Sequence, residues 1–116
     1  MPTPEIIINP LSSALGAEIS GIDLAEPLDD ETWKIIHTTW LDHLMIFFRD
    51  QTITPRHQVD LAQRFGKPAI YTFIKGLPEQ AEVTEILKTE NDQVNFGGRW
   101  HTDTTYKQIP DRGTLL

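Results

Sequence analysis

Trp100-His101-Thr102-Asp103-Thr104-Thr105-Tyr106 holds the residues best suited to chemistry. In an extended backbone, residues two apart project to the same side. His101 and Asp103 can therefore offer one imidazole nitrogen and one carboxylate oxygen to a single cation. That is two-thirds of the two-histidine, one-carboxylate set that holds non-haem Fe(II) and leaves positions open for substrate and oxygen. The remaining histidines are His37, His43 and His57. His37 and His43 lie about 240° apart around a helix, so they share no face. His57 falls at the exposed start of a second helix. Two other readings fit the bare pair: a surface hydrogen bond between the two side chains, and a zinc hydrolase. Zinc sites favour three histidines or mixed His/Glu sets, and no HExxH helix occurs.

The elements that must position this segment can be read in outline. Glu5–Asn9 is a β-branched run closed by Pro10, which predicts a strand. Gly16–Ser20 alternates between two glycines, a second short strand. Asp29 or Asp30 suits a helix N-cap with acids in the first turn. Trp33, Ile36, Trp40 and Leu44 recur at three- and four-residue steps, predicting one buried face of a helix over 30–43. Met45–Arg49 reads as a buried strand, with Arg49 and Asp50 as a structural ion pair. Thr54 before Pro55 predicts a second helix over 55–65, stopped at Gly66. Val83–Lys88 and Trp100–Tyr106 read as strands, with 91–98 as a polar loop between them. Trp100 is expected to pack beneath His101 and orient it. Asn95–Arg99 serves equally as a lid or as the loop entering the strand. Thr114-Leu115-Leu116 reads as the opening of another strand. Residues 1–116 are therefore expected to be the N-terminal part of a single domain, of mixed α+β to mainly β class.

Composition narrows the function classes. The chain has 116 residues, no cysteine and a net charge of −7. Without cysteine there are no disulfides, thiolate metal sites or thiol nucleophiles. The acidic balance argues against nucleic acid as a partner. The longest apolar run, Leu44–Phe48, is too short to span a bilayer, and no signal peptide is visible at the N-terminus. A cytoplasmic location is the expectation. The acids concentrate in residues 1–50, where nine face only Lys34 and Arg49. That pattern reads as a solvated face. Nothing in the sequence excludes a homo-oligomer.

Five segments in order carry a family resemblance. They are Leu15-Gly16-Ala17-Glu18-Ile19-Ser20-Gly21-Ile22-Asp23-Leu24, Pro27-Leu28-Asp29, Phe47-Phe48-Arg49-Asp50-Gln51 with Ile53-Thr54-Pro55, Phe65-Gly66, and the Trp100–Tyr106 segment. Together they resemble the taurine/2,4-D (TauD/TfdA-like) dioxygenases, Fe(II)- and 2-oxoglutarate-dependent enzymes on a double-stranded β-helix of jelly-roll, cupin-like form. The resemblance implies the N-terminal part of that fold with two flanking helices. It implies Fe(II) as cofactor, 2-oxoglutarate as cosubstrate and O2 as oxidant. The activity implied is hydroxylation of a small organic molecule, such as a sulfonate, an ether or another anion, with release of succinate and CO2.

Carried over by position, His101 and Asp103 match the first two iron ligands, and Thr104 and Tyr106 border the primary substrate. In the family a later histidine completes the iron site, and a threonine and an arginine hold 2-oxoglutarate. All three lie downstream of the residues matched here, so these residues alone are expected to be inactive. A non-catalytic binding module of the same fold is the alternative. The pattern departs from the taurine enzymes at two places. Their sulfonate-binding histidine after Phe-Gly is absent, and Tyr71 is its nearest polar counterpart. Their asparagine four residues before the first ligand is replaced by Gly97, with Asn95 close by. Tyr71, Asn95, Thr104 and Tyr106 are thus the substrate-binding candidates.

Overall fold

A computed structural model describes residues 4–116. Contacts divide the chain into two compact units, Met1–Gly66 and Lys67–Leu116.

The first unit contains the regular structure. Strand β1 (Ile7–Pro10) pairs antiparallel with β2 (Ala17–Ser20), with Ile8 opposite Ile19. Helix α1 (Asp30–His43) then carries the chain over to β3 (Ile46–Phe47), which lies parallel to β2. Helix α2 (Pro55–Phe65) follows. The sheet order is β1-β2-β3. Ala17 and Ile19, alternate residues of β2, are the buried apolar residues of the sheet, and Ile36 of α1 and Val59 and Leu61 of α2 are the buried apolar residues of the helices. Burying a side chain such as Ile19 stabilises by about 1.5–3 kcal/mol. Thr39, the one buried polar side chain among the described residues, returns its hydroxyl to the Ile35 carbonyl at 2.7 Å.

Both helices begin as their sequences require. Asp29 caps α1 by accepting from the Thr32 amide at 2.7 Å. Thr54 caps α2 through a reciprocal pair: the His57 amide donates to Thr54 Oγ1 at 3.3 Å, and the Thr54 amide donates to His57 Nδ1 at 3.2 Å. His57 stands where Glu or Gln usually closes this box. It is therefore a capping residue rather than a free surface imidazole. The two helices meet through Phe65, whose ring stands edge-on to Trp33 at 4.7 Å and to Trp40 at 5.0 Å.

Several expectations are corrected here. Leu44 does not extend the buried face of α1. It is the C-cap, at φ +66°, and its left-handed backbone turns the side chain to solvent, 67% exposed. Arg49 does not pair with Asp50. Its Nε reaches Glu18 on β2 at 3.2 Å, and its guanidinium lies over the Phe47 ring. Of the strand expected over Met45–Arg49, only Ile46–Phe47 forms.

Gly21 and Gln51 explain two of the motifs. At Gly21, φ is +84°, and a Cβ would fall 2.2 Å from the Glu5 carbonyl oxygen, so only glycine lets β2 pass so close beneath the start of β1. The Gln51 side chain ties the segment after β2 to the segment after β3. Its Oε1 accepts from the Leu24 amide at 2.8 Å, and its Nε2 donates to the Ile22 carbonyl at 3.0 Å and the Arg49 carbonyl at 3.1 Å.

The second unit is built from turns, and no segment of it forms a helix or strand among the described residues. The strands expected at Val83–Lys88 and Trp100–Tyr106 are therefore absent. Residues 77–83 close a turn in which the Leu77 amide reaches the Val83 carbonyl at 2.8 Å. Asp92 caps another by accepting from both the amide and the hydroxyl of Thr89. These two bonds hold the Asp92 carboxyl below the ordinary carboxylate value.

Candidate functional site

His101 and Asp103 come together without a strand beneath them. His101 Nε2 lies 3.1 Å from Asp103 Oδ1. The other ring nitrogen, Nδ1, lies 2.6 Å from the Arg99 carbonyl oxygen. A carbonyl only accepts, so Nδ1 carries a proton and donates it. In the neutral ring Nε2 is then the unprotonated nitrogen, and it is the one that lies near the Asp103 carboxylate. An imidazole nitrogen and a carboxylate oxygen at that separation are close enough for one cation to take both as donors.

The loop leading in is folded onto the ring. Gly97 has φ +65°, and a Cβ added there would meet His101 Cε1 at 3.4 Å. The Asn95–Arg99 loop thus both covers one edge of the imidazole and supplies the carbonyl that fixes its tautomer. Trp100 does not pack beneath His101. It is wholly exposed, because the segment turns instead of running as a strand with a covered face. The turn is at Thr104, whose φ of +53° is a left-handed conformation that a β-branched residue adopts only under strain. The Thr104 hydroxyl accepts from the Asp111 amide at 3.2 Å, and its carbonyl accepts from the Lys107 amide at 3.0 Å. Lys107 and Asp111 also pair at 3.0 Å. Chiefly through that bond, the Asp111 carboxyl is held below its ordinary value, and slight burial opposes the shift.

The remaining candidates fall into two places. Tyr71 and Tyr106 are brought into one aromatic group by Phe73, which stands edge-on to Tyr71 at 5.8 Å and to Tyr106 at 6.1 Å. Asn95 instead binds the Lys88 ammonium through Oδ1, beside a shallow groove lined by Ile86, Leu87 and Phe96. Among the described residues no hydrogen bond or ring contact joins either place to His101 or Asp103. The sequence reading passed over Phe73 and Thr114. The Tyr-x-Phe spacing of 71 and 73 was a usable signal for Phe73. For Thr114, whose hydroxyl donates to Asp103 Oδ2 at 3.1 Å, there was none, since it lies 11 residues beyond its partner.

Comparison with known proteins bears on this arrangement. The sequence profile of the taurine catabolism dioxygenase TauD, TfdA family matches residues 7–116. The chain belongs to that family. The TauD/TfdA match takes in all the motifs from β1 to the His101–Asp103 segment. A (S)-phenoxypropionate/alpha-ketoglutarate-dioxygenase of Sphingobium herbicidovorans is 29% identical over 98% of this chain and 40% of its own length. An alkylsulfatase of Acinetobacter baylyi is 32% identical over 99% of this chain and 36% of its own. Among solved structures, a taurine dioxygenase from Burkholderia xenovorans superposes with a TM-score of 0.75 at 32% identity, covering 92% of this chain and 38% of that one. The TauD/TfdA chain described here thus spans well under half the length of these relatives. Its strands and helices agree with the corresponding part of that fold.

The donor chemistry suits the iron that this family implies. One neutral imidazole nitrogen and one carboxylate oxygen are the donor types of the facial Fe(II) set. Two donors each about 2.1 Å from one ion, at right angles, stand about 3.0 Å apart, near the observed separation. The side chains are 54% and 57% exposed, so an ion has access to both. Among the described residues no group of three or more His, Cys, Asp or Glu side chains converges on one metal position. No helix among them is long and apolar enough to cross a membrane.

Proposed function

We propose that His101 and Asp103 are two of the iron donors of an Fe(II)- and 2-oxoglutarate-dependent dioxygenase acting on a small organic anion. Its complete domain is a double-stranded β-helix. The observation that carries this reading is the 3.1 Å approach of His101 Nε2 to Asp103 Oδ1, with Nδ1–H committed to the Arg99 carbonyl. Family membership supplies the reaction class. When bound, iron with 2-oxoglutarate and O2 supplies an oxidant strong enough to remove hydrogen from an unactivated C–H bond, with succinate and CO2 as coproducts.

The residues of this chain contribute geometry. The Arg99 carbonyl holds the His101 tautomer, so that in the neutral ring Nε2 is the free donor. The left-handed turn at Thr104 swings the chain from the donor pair toward Tyr106. Tyr71, Phe73 and Tyr106 supply an apolar wall with two hydroxyls, suited to an organic body next to a polar head. The named relatives point to the same class. Phenoxypropionate, an alkyl sulfate and taurine each join an organic body to an anionic group. Thr104 and Asn95 remain substrate-side candidates in this reading, Asn95 together with the lysine it holds.

The test is succinate release by protein made from the complete reading frame around these codons, supplied with Fe(II), ascorbate, 2-oxoglutarate and a panel of sulfonates, sulfate esters and phenoxy acids. Substrate-stimulated succinate is expected, with Zn(II) unable to replace Fe(II). His101→Ala and Asp103→Asn are each expected to reduce it at least 100-fold. Full activity in either variant refutes the donor assignment. Residues 1–116 alone are expected to release none.

A further inference from the structure

Each oxygen of Asp103 has a separate partner. Oδ1 faces His101, and Oδ2 accepts from the Thr114 hydroxyl at 3.1 Å. We propose that Thr114 is a positioning residue that fixes the Asp103 carboxylate as a one-oxygen donor; this rests on the reading of His101 and Asp103 as metal donors.

The reasoning is local and physical. A half-exposed aspartate is not held in one rotamer by packing, and a carboxylate with both oxygens free can pivot or grip a cation through both. A hydroxyl on Oδ2 orients the group and occupies the lone pair that points away from His101. The donor pair then takes one position from each residue and leaves the remaining positions to other groups. The loop that returns Thr114 to Asp103 is pinned midway. Thr104 binds the Asp111 amide through its hydroxyl and the Lys107 amide through its carbonyl, and Lys107 pairs with Asp111. The two donors are therefore fixed from opposite directions along the chain, His101 by the carbonyl two residues before it and Asp103 by the hydroxyl well after it. Hydrogen-bond partners of this kind commonly change metal affinity 10- to 100-fold when removed.

The experiment is a Mn(II) titration of protein made from the complete reading frame around these codons, read as paramagnetic broadening of the backbone amide signals of residues 102–104 in the NMR spectrum. This readout detects weak binding and needs no turnover. Thr114→Val, which removes the hydroxyl at similar volume, is expected to weaken Mn(II) binding about tenfold. Thr114→Ser, which keeps the hydroxyl, should stay within about twofold of the parent. The positioning role is overturned if Thr114→Val binds like the parent while His101→Ala and Asp103→Asn abolish the broadening; the donor assignment then survives. It is also overturned if Thr114→Ser weakens binding as much as Thr114→Val. If the parent shows no broadening, or Asp103→Asn broadens as the parent does, the donor assignment itself falls and the proposal falls with it.

Discussion

Gln51 offers the sharpest test of how the first unit is held together. Its side-chain amide satisfies three backbone groups across sequence separations as large as 29 residues, and it does so from a half-buried position. Each neutral hydrogen bond contributes about 0.5–1.5 kcal/mol net, and water recovers part of what is lost near the surface. Gln51→Ala is thus expected to cost about 2 kcal/mol. In a folded chain of this length that lowers Tm by about 10 °C. Gln51→Glu separates the contributions. At neutral pH its carboxylate still accepts from the Leu24 amide, but it faces the Ile22 and Arg49 carbonyl oxygens with no proton to give. A cost of about 2–4 kcal/mol follows from two lost donors and the added repulsion. Folding disfavours the charged form there, so the introduced group binds protons more readily in the folded state. Its destabilisation should shrink as pH falls and the protonated carboxyl donates again. The assay is thermal and urea unfolding followed by far-ultraviolet circular dichroism at pH 7 and pH 4.5. Changes below about 0.5 kcal/mol in both variants, or a cost in Gln51→Glu that does not depend on pH, would refute the bracket role.

Two further outcomes test the helix cap and the strained turn. Amide donation from Thr32 holds the Asp29 carboxyl below its ordinary value of 3.8, so its stabilisation of α1 is present above that value and lost as pH falls through the lower folded one. Helical signal at 222 nm should show this acid loss in the parent chain and not in Asp29→Ala. Thr104→Asn keeps a side-chain acceptor for the Asp111 amide and relieves a β-branched residue of its left-handed backbone. It should slow exchange of the Lys107 amide about threefold, corresponding to about 0.5–1 kcal/mol. Faster exchange would show that the turn is not strained.

The local signals in the sequence located the two helices well. Asp29, Thr54, Pro55 and Gly66 act through hydrogen bonds within their own turns, so their types and positions suffice to place Asp30–His43 and Pro55–Phe65. The strands show the limit. Val83–Lys88 and Trp100–Tyr106 have the composition of strands, but composition specifies only an extended tendency. A strand exists through the hydrogen bonds of a neighbour, and among the described residues neither segment has one. The approach of His101 to Asp103 has a different cause from the one the sequence suggests. Extended alternation was expected to align His101 with Asp103. The observed backbone turns, and the two meet because Arg99 and Gly97 settle the ring. Distant partnerships such as Arg49 with Glu18, Gln51 with Ile22 and Leu24, and Thr114 with Asp103 leave no periodic trace, since each depends on where the chain returns.

The distribution of the three tryptophans has an optical consequence. Trp33 and Trp40 flank the Phe65 ring in a half-buried aromatic cluster that also contains His37, whereas Trp100 stands wholly in solvent one residue from His101. Emission from the first two reports whether the helices are docked, at shorter wavelength and with imidazole quenching. Emission from Trp100 is expected to be red-shifted and open to aqueous quenchers such as iodide, and a paramagnetic ion at the adjacent imidazole would dim it selectively. One fluorescence spectrum therefore distinguishes unfolding of the helical half from events at the candidate site, with no label added.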